Sequence, residues 1–124
     1  MRTGAVRSMF ERLGGFAAVH AIVCEFYGRV ADDDVLAPYF EHVDMRRLID
    51  HQTKFIASVM GGPASYTNEA LRQVHARHPI DRAAFEAMRE AMRESLLACE
   101  VGEADCAAVI EEIEARAPYV INRS

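Results

Sequence analysis

The chain has 124 residues, 51% hydrophobic and 27% charged, which is enough for one domain with a buried core and too short for two. Its 14 Lys and Arg against 19 Asp and Glu give a formal net charge of -5, which argues against nucleic acid as a partner because phosphate binding requires a basic surface. Three cysteines without a C-x-x-C pair argue against a disulfide framework and predict a reducing, cytoplasmic location. No stretch approaches the roughly 18 apolar residues of a membrane span, and the first residues lack the apolar run of a secretory signal.

Apolar residues recur at intervals of three and four along the chain, which predicts helices rather than strands. The first long helix is predicted over residues 16–31, and Pro38 interrupts the chain shortly after it. A second helix is predicted to begin at Asp44, a good N-cap, and to end at the Gly-Gly-Pro sequence of residues 61–63.

Three more helices are predicted in the second half of the chain. A short one begins at residue 67 or 68 and ends before Pro79, a longer one runs from Asp81 to Gly102, and a last one continues through residue 117. The sequence is therefore all-α, with four substantial helices and one or two short ones. Residues 1–12 are predicted to form a lead-in, and residues 13–121 the folded domain.

Several polar residues interrupt the apolar helix faces. His51 and Gln52 do so on the second helix, His75 on the short one and Tyr27 on the first. Taken alone, each is more often an ordinary core or edge residue. Together they indicate mutual contacts or a bound ligand, because a buried polar group without a partner costs about 1–3 kcal/mol.

The histidines of the short helix suggest two kinds of metal site. His75 and His78 are spaced to share one metal ion, but no Asp or Cys completes the three or four protein ligands that zinc prefers. Haem needs only one histidine and a wide apolar slot, because the porphyrin supplies the other four ligands. A single histidine among Leu71, Val74 and Ile80 fits haem better.

A series of short motifs carries a family resemblance from about Leu13 to Val120. In chain order the motifs are Leu13-Gly14-Gly15, Glu25-Phe26-Tyr27-Gly28-Arg29-Val30, Asp44-Met45, His51-Gln52-Thr53-Lys54-Phe55, Gly61-Gly62-Pro63 with Tyr66-Thr67, and Gln73-Val74-His75. Each is weak alone, but their order and spacing are specific. The sequence resembles the group I truncated haemoglobins, short globins with a two-over-two helical sandwich enclosing haem.

The resemblance implies roles for particular residues. His75 matches the proximal histidine, the axial ligand of haem iron, and Tyr27 matches the distal tyrosine that hydrogen-bonds dioxygen. Gln52 matches a distal glutamine that supports it, Leu48 the residue over the ligand site, and Phe40 the phenylalanine wedged against the porphyrin. The residues that match pocket-wall positions are Phe55, Leu71, Val74, Ile80, Phe85 and Met88.

Some positions leave alternatives open or depart from the family pattern. His51 matches a position that binds iron as a sixth ligand in some relatives, or it reaches outward to a haem propionate. Val120 stands where some relatives have a histidine bonded to a haem vinyl group, so noncovalent haem b is expected. Pro79 replaces a glycine and predicts a stiffer proximal loop, and Ile56 replaces an aromatic tunnel gate.

The resemblance implies a cytoplasmic haem protein, a monomer or weak dimer, that reversibly binds O₂, NO and CO. Its expected chemistry is nitric oxide dioxygenation, which needs an external reductase because the sequence lacks a nucleotide motif such as G-x-G-x-x-G. The alternative is a six-coordinate redox or gas-sensing globin without turnover, with His51 and His75 both on iron. A haem-free helical interaction module is a third, less favoured hypothesis.

Overall fold

The computed structural model describes residues 7–63, 72 and 79–123, and all regular structure in these residues is helical, as predicted. The helices are α1 (Met9–Leu13), α2 (Gly15–Ala31), a 3-10 helix (Ala37–Phe40), α3 (Met45–Val59), α4 (Arg82–Ala98), α5 (Glu103–Ala115) and α6 (Ala117–Val120). Apart from Arg72, the short helix predicted before Pro79 lies outside the described residues. None of the helices in the described ranges is long and apolar enough to cross a membrane.

Helix α2 lies at the centre of the helix packing. It packs against both α3 and α4, and α4 packs against α5. The apolar stripe predicted for α2 is buried, because its three- and four-residue spacing places these side chains on one helix face. Its buried residues are Val19, Ile22, Val23, Phe26, Tyr27 and Val30.

Helix α3 begins and ends where the sequence predicts. The Asp44 side chain accepts a hydrogen bond from the Arg47 amide at 3.3 Å, which satisfies a donor of the first turn. At the other end Gly61 has a φ of 82°, a conformation that favours glycine. The Gly62 amide then donates to the Ala57 carbonyl at 2.8 Å and closes the turn.

Helix α4 begins at the predicted cap but ends earlier than predicted. The Asp81 side chain accepts from the Ala84 amide at 2.8 Å. The prediction that Gly102 ends this helix is wrong, since α4 stops at Ala98 and Gly102 is the N-cap of α5. The stop is made by Glu100, which adopts a φ of 63° and donates its amide to the Leu97 carbonyl. The chain therefore uses a non-glycine residue in a left-handed turn.

The structure adds a short helix, α1, within a region for which the sequence pattern predicts no element. Ser8 and Glu11 form a reciprocal capping box at its start. Phe10 is buried, and its amide donates to the Met60 carbonyl at 3.0 Å, so α1 rests on the end of α3. The S-x-x-E spacing of residues 8–11 was the available signal for this helix.

Candidate functional site

A largely apolar cavity lies among these helices. Helices α2, α3 and α4, the 3-10 helix and residues of α5 and α6 all contribute to its wall. It brings together the described residues that the family resemblance places in the distal pocket or the pocket wall, with the exception of His51. These residues are Tyr27, Phe40, Leu48, Gln52, Phe55, Ile80, Phe85 and Met88. Positions from most of the described helices thus converge on one space.

Tyr27 lines this cavity with a buried aromatic side chain that carries a polar group. The side chain is 7% exposed and makes edge-to-face contacts with Phe26, at 4.8 Å between ring centroids, and with Phe40, at 5.6 Å. Burial raises the pKa of the Tyr27 phenol above its ordinary value, so the hydroxyl keeps its proton. No hydrogen bond joins this hydroxyl to residues 7–63, 72 or 79–123. It is therefore a donor available to a ligand.

Leu48 and Gln52 place an apolar and a polar side chain one helical turn apart on α3. Both are half-buried and line the cavity. The spacing of four residues puts them on one face of the helix, and the Asp44 cap fixes where that helix begins. Gln52 and Tyr27 thus offer an amide and a phenol from two neighbouring helices. Both are neutral hydrogen-bond donors.

His51 differs from Gln52 in its surroundings. Although the sequence pattern puts it near the apolar stripe of α3, its side chain is exposed, and it is not among the residues that line the cavity. Its neighbours on the same helix, Asp50 and Lys54, form an exposed ion pair at 3.1 Å. Exposure of the imidazole favours the outward alternative over a contact with the cavity centre.

The predicted proximal residues fall largely outside the described part of the chain. This holds for His75, Leu71 and Val74. Ile80 follows that segment in the chain and lines the cavity.

Of the wall residues that were not predicted from the sequence, two carry polar groups. Arg116 lines the cavity, with its guanidinium carbon 5.8 Å from the centroid of the Phe55 ring and hydrogen bonds to the Glu112 carboxylate and carbonyl at 2.9 and 2.8 Å. Tyr39 also lines the cavity, and its hydroxyl donates to the Pro79 carbonyl at 2.8 Å. Arg116 lies three residues after the apolar position Ile113, a spacing that could have indicated its place on the wall.

These residues fit a haem group. The wall is apolar and aromatic, as a flat hydrophobic ring requires, and the polar groups that face the space are few. The Tyr27 hydroxyl, without a hydrogen bond to the described residues, is the kind of group that a small polar ligand would satisfy.

Comparisons with known proteins agree with this fit. Residues 8–122 match the family described as bacterial-like globin. The group 1 truncated haemoglobin of Mycolicibacterium paratuberculosis is 31% identical over 113 residues, which cover 91% of this chain and 83% of that relative. The group 1 truncated haemoglobin of Tetrahymena thermophila is 33% identical over 89 residues, which cover 72% of this chain and 74% of that relative.

Solved structures show the same architecture. The Fe(III) form of truncated haemoglobin from Tetrahymena pyriformis aligns with a TM-score of 0.85 at 26% identity, covering 94% of this chain and 99% of that chain. The 2/2 haemoglobin of Synechococcus sp. PCC 7002, in the cyanomet state with covalently attached haem, aligns with a TM-score of 0.84 at 27% identity, covering 94% and 100%.

An all-helical fold that matches the solved 2/2 haemoglobins, with an apolar cavity among its helices, is that of a haem globin. The chain belongs to the bacterial-like globin family, as a group 1 truncated haemoglobin.

Proposed function

We propose that this globin holds haem b noncovalently, reversibly binds O₂, NO and CO, and oxidises nitric oxide to nitrate. Haem, when bound, supplies an iron centre that takes up such diatomic gases. The observation that carries the proposal is the Tyr27 hydroxyl, which belongs to a buried side chain that lines the cavity and makes no hydrogen bond within the described residues.

The proposed division of roles follows the cavity wall. Tyr27 and Gln52 are the donors to the gas ligand, and Leu48 limits the space above it. His75 is the proposed axial ligand, on the strength of the family resemblance. The remaining proposed wall residues hold the ring by apolar contact and are Phe40, Phe55, Leu71, Val74, Ile80, Phe85 and Met88.

The chemistry of Tyr27 suits a ligand that carries partial negative charge. Because burial raises its pKa, the phenol remains a neutral donor through the physiological pH range. A hydrogen bond to a charged partner contributes about 1.5–3 kcal/mol. At about 1.4 kcal/mol per factor of ten, Tyr27 would slow dioxygen release by roughly ten- to a hundredfold.

The proposed reaction combines NO with O₂ and one electron to give nitrate, NO₃⁻. This chain's residues bind and orient the reactants and exclude water with an apolar wall. The electron must come from a separate reductase, since the sequence carries no G-x-G-x-x-G motif for a nucleotide cofactor. The exposed position of His51 supports a site that is open to gases over one closed by a second histidine.

Noncovalent attachment is proposed from Val120. This residue lines the cavity at 6% exposure, and its isopropyl group offers no nucleophile to a vinyl group. Extraction of haem b into acidified organic solvent tests this point, because covalently attached haem stays with the protein.

The decisive experiment mixes the oxygenated, haem-loaded protein with nitric oxide in a stopped-flow instrument and measures nitrate. We expect fast decay with one nitrate formed per protein, and slower nitrate formation in Tyr27→Phe. The matched control is Tyr119→Phe, which removes a hydroxyl from a residue that does not line the cavity. Decay without nitrate would instead support the six-coordinate gas-sensing globin. The same holds if the rate of ligand binding is limited by dissociation of His51 and this limit disappears in His51→Ala.

A further inference from the structure

We propose that Tyr39, Tyr119 and Asn122 form a clamp that positions the segment carrying His75 by holding both of its ends. The inference rests on the proposed function, in which His75 is the haem ligand. The test distinguishes failure of the clamp from failure of that assignment. Tyr39 belongs to the 3-10 helix, Tyr119 to α6, and Asn122 to the segment that follows α6. All three are therefore distant in sequence from the segment that they hold.

The C-terminal end of the segment that carries His75 is held at residues 79 and 80. The Tyr39 hydroxyl donates to the Pro79 carbonyl at 2.8 Å. The Ile80 amide donates to the Asn122 side-chain oxygen at 2.8 Å, and the Ile80 carbonyl accepts from the amides of Asn122 at 2.9 Å and Arg123 at 3.1 Å. Both main-chain groups of Ile80 are thus bonded to a segment 42 residues away.

The N-terminal end of this segment is held at Arg72, three residues before His75. The Arg72 guanidinium carbon lies 5.1 Å from the centroid of the Tyr119 ring, within the range of a cation–π contact. Tyr119 and Asn122 are three residues apart, so the same short stretch of chain contacts Arg72 and Ile80, which precede and follow His75 in the sequence.

The clamp is also connected to the cavity. Ile80, Tyr39 and Val120 all line it, and Val120 stands between the two clamp residues Tyr119 and Asn122. Pro79 has a fixed φ and no amide hydrogen, which removes one degree of freedom from the turn that Tyr39 holds. A shift of the clamp would therefore move the wall at Ile80 and the end of the histidine segment together.

Asn122→Ala in the haem-loaded protein tests the clamp, because it removes the acceptor of the Ile80 amide. The matched control is Arg123→Ala, since Arg123 bonds Ile80 only through its main-chain amide. Asn122→Asp keeps an acceptor oxygen and should restore wild-type behaviour. Tyr39→Phe tests the hydrogen bond to the Pro79 carbonyl. Tyr119→Leu tests the contact with Arg72, and Tyr119→Phe, which keeps an aromatic ring, is its control.

Three readouts are measured: hydrogen exchange of the Ile80 amide, transfer of haem to apomyoglobin, and the iron–histidine stretching band in the ferrous protein. For Asn122→Ala we expect faster Ile80 exchange, haem loss faster by about fivefold, and a shifted or broadened iron–histidine band. Arg123→Ala should match the wild type in all three.

The clamp is refuted if Asn122→Ala and Tyr39→Phe speed Ile80 exchange yet leave haem loss and the iron–histidine band unchanged. Should Asn122→Ala fail to fold, Tyr39→Phe and the two Tyr119 variants test the clamp by the same readouts. His75→Gly, without and with added imidazole, tests the ligand itself. If that variant keeps the wild-type iron spectrum without imidazole, the assignment of His75 is wrong, and the clamp is judged on Ile80 exchange and haem loss.

Discussion

Tyr27→Phe should not lower the free energy of unfolding, but it should weaken the binding of dioxygen. The Tyr27 side chain is 7% exposed and its hydroxyl has no hydrogen bond to any described residue, so its removal takes away a partly desolvated group without breaking a protein contact. A buried unpaired polar group costs about 1–3 kcal/mol, part of which phenylalanine recovers. We expect the free energy of unfolding of the unliganded protein to stay the same or rise by up to about 1 kcal/mol.

The effect on the ligand has the opposite sign. Loss of a hydrogen bond of about 1.5–3 kcal/mol to a partly charged ligand predicts dioxygen dissociation faster by roughly ten- to a hundredfold. Dissociation is measured by mixing the oxygenated protein with carbon monoxide, and stability by denaturant titration. Carbon monoxide accepts hydrogen bonds poorly, so its own dissociation rate should change much less.

Tyr39→Phe provides a contrast, because the hydroxyl that it removes donates to a protein partner, the Pro79 carbonyl. Here we expect the free energy of unfolding to fall by about 1 kcal/mol. The reasoning about Tyr27 is refuted if Tyr27→Phe loses as much stability as Tyr39→Phe, or if its dioxygen dissociation rate equals that of the wild type.

Further predictions concern pH, glycines, a strained turn and the exposed histidine. Because burial raises the Tyr27 pKa, the unfolded chain loses this proton first as the pH rises through about 10, so alkaline unfolding should begin earlier in the wild type than in Tyr27→Phe. Gly62→Ala would place a Cβ 2.9 Å from a backbone oxygen and 2.8 Å from an aromatic ring, which should cost about 1–3 kcal/mol in denaturant titrations, whereas Gly28→Ala meets nothing within 4 Å in mid-helix and should gain about 0.5–1 kcal/mol. Glu100→Gly relieves a φ of 63° and should raise the free energy of unfolding by about 1 kcal/mol, which shifts the midpoint of denaturant unfolding upward. His51→Ala should leave the ferrous and ferric visible spectra unchanged, and a change from low to high spin would show that this exposed imidazole reaches iron.

The sequence predicted those helices whose ends are set by local chemistry. Asp44 and Asp81 cap α3 and α4 through bonds three residues away, a distance that a sequence pattern covers. Helix α1 has the same kind of signal, yet its five residues are too few for an apolar period to emerge. The end of α4 was misplaced because Glu100 takes a backbone conformation that glycine is expected to take.

The candidate site was predictable only in part. Tyr27 and Gln52 followed from motif spacing and the family resemblance, and the structure brings them to one cavity. Tyr39 and Arg116 were missed because their significance depends on distant partners. The Tyr39 hydroxyl bonds a carbonyl 40 residues away, and Arg116 reaches the Phe55 ring across the domain. Neither contact can be inferred from the local sequence, and the spacing of Arg116 from Ile113 was the one local signal of its place on the wall.

The packing of α2 against both α3 and α4 has a consequence for how a flat cofactor enters and leaves. Val19 and Val23 of α2 are fully buried, while residues of α3 and α4 line the cavity. A displacement of α3 would widen the cavity while the contact between α2 and α4 stays closed. Cofactor exchange can therefore proceed by a local opening of lower free energy than global unfolding, and the amides of α2 should remain protected while those of α3 exchange.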